Sequence, residues 1–299
     1  MIIGIIAALA GHLSNAFAAL ADKYLLKRAF QEPAVYVVWI GIISLLVFVL
    51  LPFDFALPAT ATQWLTDLLA GALFSLALLA YFNSLKRSEL SAVVPVVGSV
   101  TAIVTVIISY LYLAERFSFY QILGILVLIV AFWLLTYEGK MVHRSALPYT
   151  IVAAVLFSFS AVVMKVVFFN QPFISGLAFS RVGSLLVSLV LITSPIVRKA
   201  ILASAPRFRG GNLLILIGDH IAGAVSFVLL NFGIAASSPA IVNALQGSQY
   251  AFLYLLVGAA GPFAPTVFKE DVSGVAKRRR LIGIAVVAIG IALIVQVPK

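Results

Sequence analysis

LLILIGDHIAGAVSFVLLNFGI, residues 213–234, is almost wholly apolar, yet it carries Asp219 and His220 side by side. A helix that crosses bilayer hydrocarbon needs about 20 apolar residues at about 1.5 Å rise each. This stretch has that length, and how it is read decides the fold. The composition agrees with a membrane span. Hydrophobic residues make up 63% of the 299-residue chain and charged residues only 10%, against about 25% charged in soluble domains. The mean hydropathy of +1.17 points the same way. The chain therefore reads as an all-α integral membrane protein.

Ten such runs are visible: 2–22, 35–53, 64–83, 92–113, 120–137, 147–169, 174–194, 212–231, 239–261 and 281–297. Breakers separate them, among them "LPFDFALP" at 51–58, "NQP" at 170–172 and "SSP" at 237–239. No strand pattern competes, and runs this long satisfy their own backbone in lipid as helices. The first run has no basic flank before it and is longer than a signal-peptide core, so it reads as a retained helix.

Basic residues orient the chain. Lys23, Lys27, Arg28, Lys86, Arg87, Lys140, Arg144, Arg198, Lys199, Arg207, Arg209, Lys269, Lys277, Arg278, Arg279 and Arg280 all fall in the odd-to-even loops. Arg116 and Lys299 fall on the other side, and Lys165 and Arg181 lie within spans. The positive-inside rule makes the first set cytoplasmic and puts both termini outside. The net charge of +10 is then explained by loops facing an anionic leaflet and does not call for nucleic acid. There is no cysteine, so thiolate chemistry is excluded.

The sequence repeats. "NSLKRSELSAVVPVVGS" (83–99) aligns with "NFGIAASSPAIVNALQG" (231–247) at an offset of 148, with Asn83 on Asn231 and Pro95 on Asn243. "RFSFYQILGILVLIVAFWLL" (116–135) resembles "KRRRLIGIAVVAIGIALI" (277–294). The expected organisation is two five-helix halves, 1–140 and 141–299. An odd number of spans per half inverts one half in the membrane, an architecture of secondary transporters with the site near the midplane.

The chain resembles the drug/metabolite transporter superfamily, in its ten-helix EamA-type branch. The resemblance rests on the order and spacing of "SAVVPVV" (91–97), "YLAERFS" (112–118), "QILGILVLIVAF" (121–132), "AFSRVGSLLVSLVL" (178–191) and "SPAIVNALQGSQYAFLYLL" (238–256). It implies a carrier of small metabolites, amino-acid-like or drug-like, commonly working by export across a cell inner membrane or plasma membrane. It also implies a central cavity lined by helices 1, 3, 4, 6, 8 and 9. Family members keep both termini in the cytoplasm, opposite to the charge count here.

Candidate site residues follow from polar side chains in oily helices. An ionisable group at a helix centre costs about 2.5–3.5 kcal/mol on insertion scales and therefore faces a cavity or a partner. Asp219 and His220 are candidates for proton or cation coupling, since imidazole titrates near neutrality. The matching helix of the first half, around "LAGALFSLALL", reads as carrying no charge at all, so the acid and imidazole are expected to be a feature of one half only. On the first helix Gly4, Ala8, Gly11, Asn15 and Ala19 form a small-residue stripe, and His12 lies near the helix centre. Asn243, Gln246, Gly247, Tyr250 and Tyr254 form a polar and aromatic stripe, and Ser99 lies on its repeat mate. Tyr81 and Asn83 end the third span, and Arg181 lies deep in the seventh, suited to an anionic group. His12, Asn15, Tyr81, Asn83, Ser99, Arg181, Asn243, Gln246 and Tyr250 are thus the expected substrate contacts. Lys165 reads as snorkelling to headgroups. Glu115 reads as a capping residue.

Absent motifs narrow the function. No Walker loop is present, so ATP is not expected as the driver. No metal-ligand spacing occurs, and no cofactor is expected. An aspartic protease needs two facing aspartates, and this reading gives Asp219 no second one at membrane depth. The expected partners are a small solute, protons and membrane lipid. A flippase for a lipid-linked substrate, or an intramembrane enzyme using His12 or His220 as base, stays open.

Overall fold

The computed structural model describes residues 1–26, 32–204, 211–260 and 274–296. Among the described residues every element is helical: α1 (Ile2–Leu26), α2 (Pro33–Ile43) continued by a 3-10 segment (Ser44–Phe53), α3 (Ala61–Leu85), α4 (Leu90–Tyr112), α5 (Phe119–Thr136), α6 (Leu147–Asn170), α7 (Phe173–Thr193), α8 (Pro195–Ser204), α9 (Gly211–Ala236), α10 (Pro239–Ala244), α11 (Gln246–Ala260) and α12 (Gly274–Val295). Eight described segments are long and apolar enough to cross a membrane. The two other expected runs fall on α9, whose apolar stretch is His220–Ala236, and on α12, which opens on Lys277–Arg280. Large apolar side chains such as Ile3, Leu46, Val49, Leu65 and Val190 point outward, as lipid requires and water does not.

Three differences from the sequence reading have local causes. The run 35–53 tightens after Ile43 into 3-10 geometry that ends around Pro52, since proline donates no bond to a continuing α-helix. The run 239–261 breaks at Leu245 into α10 and α11. A short helix, α8, lies between the seventh and eighth runs. The side chains of Lys23 and Asp219, and all of Lys27, Arg28, Arg207, Arg209, Lys269, Glu270 and Lys299, lie outside the described residues.

Close helix contacts organise the bundle. α1 packs along α9, α3 along α6 and α7, and α5 along α12. In α3 and α7 the contact is backbone on backbone. A side chain at Gly71 would run into Ser180 O, and one at Gly183 into Leu68 O. Ser184 Oγ also donates to Gly71 O at 3.0 Å, and Ser160 Oγ of α6 donates to Ala70 O at 2.9 Å. Small residues and serine hydroxyls hold helices where lipid offers no hydrophobic gain.

The ends of the helices sort into two faces. Met1 touches Gln121 at the start of α5, and Ile294 of α12 packs on Gly124. Both described ends therefore lie on one face, with the α4–α5, α6–α7 and α9–α10 turns. On the other face Lys86 pairs with Glu32, Lys140 with Glu89, and Arg280 with Glu138.

Candidate functional site

The break at Leu245 builds the centre. The last carbonyls of a helix have no partner within it, and α10 ends after six residues. His12 Nε2 of α1 lies 3.0 Å from Val242 O. A carbonyl only accepts, so Nε2 carries a proton. Gln249 of α11 lies beside His12 and accepts from Asn15 Nδ2 at 2.9 Å. On the other side of the break Asn243 Nδ2 donates to Thr105 Oγ1 of α4 at 2.9 Å. Thr105 in turn donates to Thr101 O at 2.6 Å. Polar side chains thus tie the short piece to both α1 and α4, and the long piece to α1.

Beside the break lies a crevice of about 10 Å³, on the scale of one water. Ser99, Asn243 and Gln246 line it with Gly98, Phe132 and Gly247. The Ser99 hydroxyl is buried with no partner among the described residues. Tyr250 stacks edge-on against Phe132 at 5.2 Å and lies within electrostatic reach of Tyr81. The structure therefore brings Ser99, Asn243, Gln246 and Tyr250 to one locus, with His12 and Asn15 one helix away. Gly4 and Gly11 serve a different purpose: they seat α1 against Ser237 and Leu230.

Arg181 is set apart in α7. Only 2% of it is exposed. Its guanidinium lies 4.1 Å from the Phe227 ring and 5.2 Å from that of Phe74, and it donates to Ser180 Oγ at 3.3 Å. Aromatic faces attract a cation by their quadrupole, and no carboxylate pairs with it among the described residues. The aromatic row continues from Phe74 through Phe157 to Tyr81. Asn83 follows at the end of α3, where it bonds Leu79 O and accepts from Arg87, and it does not line the crevice. His220 is half-buried on α9, whereas the Asp219 side chain lies outside the described residues.

Two readings need correction. Lys165 does not snorkel. It is 6% exposed, and its ammonium donates to Ile234 O, Ala235 O and Ser237 O at 2.8–2.9 Å. It caps α9, the cation sitting at the negative end of a helix dipole. Nor is the first half without a buried charge-bearing group. Asp67 of α3 is fully buried, two residues before the quoted apolar stretch, and accepts from Gln171 Nε2 at 2.8 Å. Its position seven residues after the Thr60 cap, with Gly71 one turn on, was the available signal.

Glu115 completes a polar knot at the terminal face. Ala114 before it is left-handed, with φ +52°, which turns Glu115 back over the helix end. Its Oε2 accepts from Ser238 Oγ at 2.5 Å. Burial pushes the Glu115 carboxyl above its ordinary value, and Ser238, Lys165 and Ser109 pull it back only in part.

The model of the EamA-like transporter family matches residues 2–137. A crystal structure of another protein shares the fold at 18% identity and a TM-score of 0.70, over 97% of this chain and 96% of that one. No curated protein matches the sequence significantly. With a family match across residues 2–137 and apolar helices throughout, the chain is a multi-pass membrane protein whose first five helices are similar to the EamA-like transporter family.

Proposed function

We propose that the protein is a secondary carrier that moves a small polar metabolite by alternating access between two inverted halves, 1–140 and 141–299, probing the solute at the α10–α11 break. The observation that carries the reading is the convergence of Ser99, Asn243 and Gln246 on one crevice between α4, α5 and the broken helix. Unwound helices near a midplane are where carriers expose backbone and polar groups to solute. In the cycle the crevice widens to admit the solute. Hydroxyl, amide and phenol groups suit a zwitterionic or uncharged polar molecule, and Arg181 supplies a positive field for an anionic group. Asp219 and His220 on α9 are the proposed coupling groups.

The packing supports two related halves. Matching α1–α5 with α6, α7, α9, α10–α11 and α12 exchanges the main contacts: α1 on α9 becomes α6 on α3, and α1 on α11 becomes α6 on α4. The pairs α2–α7, α4–α10 and α5–α12 map onto themselves. Asn83 and Asn231, matched by the offset, make the same bond four residues back, to Leu79 O at 2.8 Å and to Phe227 O at 2.9 Å. The contact of α3 with α7 is the main one without a mate.

The test is flux in proteoliposomes across a panel of amino acids and polar metabolites, preceded by a screen for solutes that raise the melting temperature. A transported solute should lose at least tenfold in flux in Asn243→Ala and Gln246→Ala. A stabilising solute whose flux ignores both substitutions would remove the site from the crevice. Reporter fusions at both ends test the orientation, with non-cytoplasmic activity expected.

A further inference from the structure

Asp67 and Gln171 leave a specific pair of atoms unsatisfied. Gln171 Nε2 donates to Asp67 Oδ1 at 2.8 Å. The other oxygen of each group, Asp67 Oδ2 and Gln171 Oε1, is buried without a hydrogen-bond partner among the described residues. If Asp67 is ionised, both are acceptors. A fully buried carboxylate would then hold one neutral hydrogen bond, a costly arrangement in a membrane interior.

Among the described residues no neighbouring charge offsets it. On α6, Lys165 is committed to the carbonyls that end α9. On α7, Arg181 is held by two phenylalanine rings and Ser180. In the segment before α3, Asp54 caps Ile174 N and adds only negative charge. Within the α6–α7 turn the facing group is Gln171 itself. A single proton resolves both orphans. Placed on Oδ2 it makes that atom a donor, and Gln171 Oε1 is the acceptor left over. Acid and amide then close a ring of two hydrogen bonds.

We propose that Asp67 and Gln171 form a proton-binding site in which Asp67 is a neutral acid and Gln171 its amide partner. Loss of the proton breaks the Oδ2–H bond and leaves an anion beside the Gln171 carbonyl. The ring opens, and Gln171 must turn or admit water at the α6–α7 turn. Protonation is thereby tied to the shape of that turn. Use of this proton in transport rests on the carrier reading, whereas the site itself does not.

Infrared spectra of the full chain in lipid at neutral pH test the site. Wild type should show a protonated-carboxyl carbonyl band that is absent in Asp67→Asn and shifted in Gln171→Ala. Asparagine at 67 can make both bonds of the ring, so its melting temperature should stay near wild type, while Gln171→Ala should melt lower. A wild type without the band, or an Asp67→Asn spectrum that keeps it whole, overturns the site. For coupling, the ratio of solute flux with and without a pH gradient should fall to one in Asp67→Asn. A ratio that stays at the wild-type value in Asp67→Asn and collapses only in Asp219→Asn overturns the coupling role. A wild type with no flux for any solute refutes the carrier reading and leaves the infrared result to decide the proton site.

Discussion

Lys165 of α6 donates to Ser237 O across the bundle at 2.8 Å, and so holds the junction where α9 gives way to α10. Replacing it with methionine removes three bonds to helix-end carbonyls and strips Glu115 of its counter-charge. The expected loss of stability is about 3 kcal/mol, measured by unfolding in a denaturing detergent titration. Adding Glu115→Gln should recover part of that loss, because the two groups share one network. Strict additivity in the double-mutant cycle would show that they do not interact.

Glu115 should make stability depend on pH with a definite sign. Its folded-state value is raised, chiefly by burial. The neutral acid is favoured in the fold, so this contribution is full below the ordinary glutamate value. It is lost as pH rises through the raised value. Melting curves of Glu115→Gln against wild type should therefore diverge in favour of the glutamine as pH climbs from that ordinary value toward neutrality. A constant difference across the range would refute it.

Ala114 occupies a backbone region that suits glycine. A left-handed residue with a Cβ costs about 1–2 kcal/mol, partly offset by glycine's greater freedom in the unfolded chain. Ala114→Gly should raise stability by up to about 1 kcal/mol. A fall in melting temperature would show that the turn needs the methyl group.

Gly183→Ala should cost about 1–3 kcal/mol or more by forcing α3 from α7, since its Cβ would meet the Leu68 carbonyl. Gly218→Ala is the control, because nothing lies within 4 Å of an added Cβ there. Equal effects at the two positions would mean that the α3–α7 contact is not the tight one.

Much of this was legible in the residues. Length and hydropathy suffice to find the helices, because lipid leaves the backbone no other solution. The stripe of Asn243, Gln246 and Tyr250 was legible too, since polar groups on an oily helix stand out. Lys165 and Glu115 were not. Their partners lie about 70 and 120 residues away in sequence, so although "SSP" marks the break they serve, no local pattern joins them to it. Asp67 was hidden by proximity to a helix start, where a carboxylate is ordinary. The break at Leu245 gave only the weak signal of Gly247, and the Asn15–Gln249 contact none at all.

That break has a mechanical consequence. At about 1.5 Å per residue, α10 and α11 are arms of about 9 and 22 Å joined at one residue. The short arm is lashed to α4 through Asn243 and Thr105, the long arm to α1 through Asn15 and Gln249. A straight rod would transmit every tilt of α4 to α1. A jointed one transmits less of it, and the His12 ring, bonded to Val242 O, is a further tie that holds the short arm to α1 as well.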